Sequence, residues 1–171
     1  MGEKWHLGET FNTVIGQGFT LSTPLQLSVM TARIASGKKI TPSILRNRNK
    51  IFDKMNISEK DLSFIRESMF AVVNEYKGTA FSSKLNSKHT MAGKTGTSQV
   101  RRISLSERET GVLENKELPY DLRDHSVFTC YAPYKNPKFA LSVLVEHMGS
   151  GSKIAAPIAK NIMELTLKKY L

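Results

Sequence analysis

The residues with the most chemistry to offer are Ala92-Gly93-Lys94-Thr95-Gly96-Thr97. Lys94 supplies a fixed cation. The hydroxyls of Thr95 and Thr97 can bind a carboxylate, and an unpaired strand N–H can receive a developing oxyanion. Glycines inside a strand lose packing and cost entropy, so Gly93 and Gly96 flanking Lys-Thr point to another backbone approaching closely, as a peptide substrate lying alongside would. A nucleotide P-loop ends in Gly-Lys-Thr too, but its first glycine would fall at Lys88, which excludes it. On the bare motif, a glycine-containing edge strand without chemistry stays open.

Other reactive side chains are less well placed. Ser-x-x-Lys, a spacing that can pair a nucleophile with its base, occurs as Ser36 to Lys39 and as Ser150 to Lys153. The first straddles Gly37 at a helix end and the second lies in a glycine-rich turn, so neither opens a buried helix. Asp124-His125 and Glu146-His147 could be read as acid–base pairs or metal ligands, but neighbours on a strand point to opposite faces. Anchoring of a loop onto a strand is the preferred reading for residues 123–125, and no metal is expected. Cys130, the only cysteine, sits in an apolar run and reads as a buried structural thiol. Asn56-Ile57-Ser58 matches a glycosylation acceptor but coincides with a helix cap.

The elements that must position the motif follow from spacing. Residues up to Ser22 are rich in Gly and Thr and read as loop. Thr23 and Pro24 start a helix carrying Leu25, Val29, Met30 and Ile34, and Gly37 ends it. Ser58 and Asp61 form a variant capping box for a second helix with Leu62, Ile65, Met69, Val72 and Val73 on one face, closing before Gly78. Residues 79–84 suggest a short helical turn. Residues 91–100 predict a strand, and 101–124 a long charged loop. Residues 126–132 and 138–147, joined by a turn at 133–137, predict a hairpin. Ile154, Ile158, Ile162 and Leu165 mark a C-terminal helix with Pro157 in its first turn and Lys168 and Lys169 at its end. The order predicts an α+β fold with antiparallel strands covered by a C-terminal helix, and a three-stranded sheet with an unpaired edge.

Composition narrows the classes. At 171 residues, 40% hydrophobic and 23% charged, the chain is long enough for one globular core. The net charge of +10 invites an anionic partner such as nucleic acid, acidic lipid or wall polymer. Lys38, Lys39, Arg46, Arg48, Lys50 and Lys54 crowd one stretch, yet Phe52 is the only aromatic among them, so no base-stacking platform is evident and no nucleic acid is expected. No run approaches the roughly 20 apolar residues of a membrane span. Glu3, Lys4, His6 and Glu9 stand where an export signal would be apolar, so the chain made alone is expected to stay in the cytoplasm.

From about Thr13 onward the chain resembles class B penicillin-binding proteins, and within them the penicillin-binding protein 2 group. The match runs through Ile15-Gly16-Gln17-Gly18, Thr23-Pro24-Leu25-Gln26, Gly78-Thr79-Ala80, residues 93–100, Leu122-Arg123-Asp124-His125 and Tyr131-Ala132-Pro133-Tyr134-Lys135-Asn136-Pro137, in the family's order. Lys-Thr-Gly is among that group's motifs. The resemblance implies the C-terminal portion of the penicillin-binding and β-lactamase-like fold. It also implies a D,D-transpeptidase that acylates a serine with a peptidoglycan stem peptide, needs no cofactor and is trapped by β-lactams, anchored to the inner membrane with this domain in the periplasm. Lys94 would position and polarise the nucleophile, Thr95 and Thr97 would bind the terminal carboxylate with Gly96 also substrate-binding, and the Thr97 N–H would serve the oxyanion hole. No Ser-x-Asn occurs, and both Ser-x-x-Lys and Ser-x-Asn precede Lys-Thr-Gly in the family by more residues than stand before Lys94. The expectation is therefore an incomplete transpeptidase domain over 1–171. It has no nucleophile of its own, no membrane anchor or dimerisation domain, and is inactive alone. Expected partners are stem peptides, β-lactams, the rest of the domain and other wall-synthesis proteins. The rival readings are a non-catalytic interaction module of the wall machinery and a basic nucleic-acid-binding domain.

Overall fold

The apolar run around Cys130 forms the centre of the molecule. In the computed structural model, which describes residues 4–18, 20–45, 50–101 and 103–171, this run is the strand β2, His125–Ala132. It pairs antiparallel with β1, Ala92–Ser98, on one side and with β3, Phe139–Val145, on the other. Alternation along β2 sends Phe128, Cys130 and Ala132 to one face and Thr129 and Tyr131 to the other, and all five are buried. A strand buried on both sides needs cover on both sides. Helices α2, Pro24–Ser36, and α3, Glu59–Asn74, lie on the Thr129 and Tyr131 face, and the C-terminal helix α5, Ala156–Tyr170, lies on the other. The expected cover of one face is thus extended to two.

Phe128, Met91 and Met163 are wholly buried beside α5, each stabilising the fold by about 1.5–3 kcal/mol through removal of apolar surface from water. On the other face Tyr131 packs with Ala35, Met69 and Ala92. There the Thr31 hydroxyl donates to the Leu27 carbonyl at 2.8 Å and shares a hydrogen bond with the Thr129 hydroxyl, which then donates. The Tyr131 hydroxyl is buried without a hydrogen-bond partner among the described residues, and burial, with Tyr134 adding to it and Arg66 opposing, raises its pKa.

The caps work as their residues dictate. Thr23 and Gln26 form a reciprocal capping box on α2, and Gly37 closes that helix with φ 69°. Ser58 accepts the Asp61 N–H at 3.1 Å to start α3. The turn at 133–137 joins β2 and β3 as expected, and a single helical turn spans Phe81–Ser83.

Three readings need correction. The opening segment is not all loop, because α1, Leu7–Val14, forms there with Leu7, Phe11 and Val14 on one side at helical spacing and none of its residues buried. The charged stretch 101–124 carries a short helix α4, Leu105–Thr110, capped reciprocally by Ser104 and Glu107. The Ser104 amide first, then the Arg101 side chain 2.6 Å away, hold the Glu107 carboxyl below its usual range. Finally, α5 turns Ala156, Ala159, Met163 and Leu167 to the sheet, while Ile158, Ile162 and Leu165 face outward. Small residues let the helix axis approach the strands, so the larger ones are left outside.

Both β1 and β3 have an outer edge with no partner strand among the described residues. Arg46 and Arg48 of the basic stretch, and Met1 and Glu3 of the opening segment, lie outside the described residues. Within that stretch Lys38 and Lys54 form an isolated antiparallel bridge and the Lys50 ammonium sits 5.3 Å from the centre of the Phe52 ring.

Candidate functional site

All of Ala92-Gly93-Lys94-Thr95-Gly96-Thr97 lies in β1. Lys94 stands opposite Thr129, Thr95 opposite Phe128, Gly96 opposite Val127 and Thr97 opposite Ser126. Alternation therefore puts Lys94 and Gly96 on the face covered by α2 and α3, and Thr95 and Thr97 on the face covered by α5. Lys94 thus points to the opposite face from Thr95 and Thr97. Lys94 Nζ donates to the Thr95 carbonyl at 2.6 Å. Lys94 and Thr97 are exposed, and Thr95 and Gly96 half-buried. An edge strand with exposed polar ends can take up an extended peptide as a further strand.

The first half of β1 is held rigidly. A methyl group on Gly93 would lie 2.5 Å from Phe128 Cζ, 2.9 Å from the Thr129 carbonyl oxygen and 3.1 Å from Cys130 Cβ, so this position admits glycine alone without displacement. Asn74, at the end of α3, donates to the carbonyl oxygens of Phe70 and Met91 at 2.9 and 2.8 Å, which ties that helix to the residue before the strand. The chain then turns at Gly78, where a Cβ would collide with the carbonyl oxygens of Ala71 and Val72. That turn delivers Thr79, whose hydroxyl lies 3.0 Å from the Thr95 hydroxyl. Thr79 thus adjoins the candidate site, and its only sign in the sequence was the Gly78-Thr79-Ala80 segment, read there as part of a resemblance.

Residues 115–125 and 147–149 lock the long loop beside the open end of β1, since Ser98 pairs with His125. The His147 amide, in a residue with φ 57°, donates to His125 Nδ1 at 3.0 Å. Asp124 donates its amide to Asn115 Oδ1 at 2.8 Å and accepts from Asn115 Nδ2 at 3.2 Å, and Gly149 donates to the Asp124 carbonyl at 2.8 Å. Residues 123–125 thus anchor the loop. Among the described residues no three His, Cys, Asp or Glu side chains converge as metal ligands.

In neither Ser-x-x-Lys pair does the lysine side chain hydrogen-bond its serine among the described residues. Ser36 donates to the Ala32 carbonyl at 2.7 Å and accepts the Lys38 amide at 3.2 Å, as a residue closing a helix does. Ser150 leads into a π-helical turn, Gly151–Ala155, with its hydroxyl 2.9 Å from that of Ser152. Cys130 is fully buried, and loss of hydration pushes its thiol up to about 12, far from the thiolate a nucleophile needs.

With the geometry in place, the chain can be compared with known proteins. The penicillin binding protein transpeptidase domain matches residues 1–164. The peptidoglycan D,D-transpeptidase MrdA of Salmonella typhimurium strain LT2 is 34% identical over 95% of the chain, and MrdA of Haemophilus influenzae is 33% identical over 98%. The chain spans 27% of the length of each of these relatives. Among solved structures, the complex between penicillin-binding protein 2 and MreC from Helicobacter pylori superposes with a TM-score of 0.79 at 36% identity, covering 99% of this chain and 29% of that one. Pseudomonas aeruginosa PBP2 in complex with WCK 5153 gives a TM-score of 0.72 at 30% identity, covering 96% of this chain and 35% of that one.

Proposed function

The chain belongs to the penicillin-binding protein transpeptidase family, in its class B, PBP2-like branch, and on that premise we propose that it forms the Lys-Thr-Gly side of the cleft of a peptidoglycan D,D-transpeptidase. The observation that supports this is that Lys94, Thr95 and Thr97 stand together on β1, a strand whose outer edge has no partner among the described residues. A stem peptide lying along that edge as an added strand would present its terminal carboxylate to the Thr95 and Thr97 hydroxyls.

A serine from a segment corresponding to the earlier part of the relatives then adds its oxygen to the penultimate D-alanine carbonyl. The C–N bond to the terminal D-alanine breaks and the departing amine takes the proton. The amine of a second stem peptide attacks the resulting ester and the serine recovers its hydroxyl. Lys94 positions and polarises that serine, Gly96 leaves room for the peptide backbone, and the Thr97 N–H donates to the oxyanion. A β-lactam follows the first half of this path, its ring C–N bond opening in place of the peptide bond.

The exposed apolar surfaces support the need for a further segment. Leu25, Val29, Met30, Ile34, Pro42, Met55, Ile57, Leu62 and Ile65 line an open groove between α2 and α3. We place the rest of the domain over that groove, read the 171 residues as catalytically silent without it, and put the working domain in the periplasm, where the substrate is. The Helicobacter pylori relative is seen in complex with MreC, and we extend partnership with wall-synthesis proteins to this chain.

The test is labelling with a fluorescent penicillin. The 171-residue chain should stay unlabelled, the chain joined to the relatives' upstream region should label, and Lys94→Ala should abolish that labelling. An adduct mapped to Ser36 or Ser150 in the short chain, or no labelling of the joined protein, overturns the proposal.

A further inference from the structure

The second half of β1 has β2 on one side and an open edge on the other, yet it must hold the Thr97 N–H within a fraction of an ångström. Something has to back it. On the face shared with α5, Gly151 comes so close to the strand pair that a Cβ there would collide with the carbonyl oxygens of Val127 and Gly96 and lie 3.0 Å from the Gly96 nitrogen. Gly96 and Val127 are register partners, one residue from Thr97 and Ser126. Ser126, wholly buried, fastens the turn at both ends. Its hydroxyl donates to the Ser150 carbonyl at 3.0 Å and accepts the Ala155 amide at 3.1 Å.

We infer that Ser126 and Gly151 are positioning residues for acylation, forming a buttress that fixes the backbone of Gly96 and Thr97 against the open edge. This rests on the transpeptidase reading above. Glycine at 151 permits backbone-to-backbone contact with Gly96; a side chain would push the turn away or drive β1 outward. The Ser126 hydroxyl stops residues 150–155 from rotating off the strand. The turn that carries the sequence Ser150-Gly151-Ser152-Lys153 therefore acts through its backbone and its glycine, while the Ser152 hydroxyl lies 2.9 Å from that of Ser150 and makes no other hydrogen bond among the described residues.

The experiment uses the protein that includes the upstream region and separates the non-covalent dissociation constant of a fluorescent penicillin from its first-order acylation rate by stopped flow. Displacement of a reacting group by about 1 Å costs on the order of 100-fold in rate. Gly151→Ala is expected to slow acylation about 100-fold and Ser126→Ala about tenfold, with the dissociation constant within about twofold of wild type. Ser152→Ala should match wild type in both. Melting curves show that the variants stay folded, and Ser126→Ala is the variant to read if Gly151→Ala unfolds. Folded variants that acylate at the wild-type rate overturn the buttress alone, as does a loss confined to the dissociation constant. A wild-type protein that never acylates overturns the transpeptidase reading and this inference with it.

Discussion

Gly93 and Gly96 sit three residues apart in one strand, and the same added methyl group meets opposite surroundings at each. In Gly93→Ala the new carbon stands 2.5 Å from Phe128 Cζ and 2.9 Å from the Thr129 carbonyl oxygen. Phe128 is wholly buried between the sheet and α5 and has nowhere to move. Overpacking of this kind costs about 1–3 kcal/mol, and the severity of both contacts argues for the upper end. Loss of unfolded-chain entropy returns about 0.4–1 kcal/mol, leaving a net destabilisation of about 2 kcal/mol. In Gly96→Ala the nearest atom is Val127 Cβ at 3.4 Å, an ordinary contact, and the net effect is within about 0.5 kcal/mol of zero or slightly stabilising. With a urea m-value of about 2 kcal/mol/M, Gly93→Ala should lower the unfolding midpoint by about 1 M while Gly96→Ala leaves it in place. Urea unfolding followed by far-ultraviolet circular dichroism reads this directly. Equal midpoints for the two variants, or the reverse order, would refute the claim that close backing at position 93, and not general intolerance of strand substitution, keeps glycine there.

Other outcomes follow from the same geometry. Thr79→Val removes the hydroxyl 3.0 Å from Thr95 and should weaken penicillin binding by the joined protein several-fold without changing its melting point, whereas Thr79→Ser should restore it. Ser58→Ala should cost about 1 kcal/mol by uncapping α3, read as a lowered urea midpoint. The Cys130 thiol stays protonated in the fold up to about pH 12 but ionises near 9 once unfolded. Stability is therefore complete below about pH 9 and declines above it by up to about 1.4 kcal/mol per pH unit, because the unfolded chain there binds fewer protons than the folded one. Cys130→Ala should flatten that decline between about pH 9 and 10, above which Tyr131, also held protonated by burial, adds its own, and iodoacetamide should modify Cys130 only after denaturation.

Much of this arrangement was legible before any coordinates. The hairpin of β2 and β3, the caps at Thr23 and Ser58, the stop at Gly37 and the strand around Lys94 all have local signals, and the structure has each of them. The face of α5 was misread, and that of α2 read incompletely, for a common reason. Spacing arguments weight large apolar residues, but the sheet is met by Thr31 and Ala35 on α2 and by Ala156 and Ala159 on α5. The repeat of alanines at 155, 156 and 159 was the available sign of close approach. In α1 the apolar positions 7, 11 and 14 do have helical spacing, obscured by Gly8 and two threonines of poor helix propensity. The Ser104 and Glu107 box that starts α4 was also readable, hidden in a stretch too short and too charged to show a period. The contact of Thr79 with Thr95 and the close approach of Gly151 to Gly96 join residues far apart in sequence, which no local pattern encodes.

The two open edges of the sheet have unequal consequences for anyone handling the protein. Along β1 a lysine and two glycines discourage unwanted pairing, but β3 reads Phe-Ala-Leu-Ser-Val-Leu-Val, with neither a charge nor a proline to blunt it. Only Lys138 and Glu146 stand guard at its ends. A preparation of these 171 residues is therefore expected to self-associate through β3. Its solubility should improve more from a companion polypeptide that occupies the edge than from any change to the cleft.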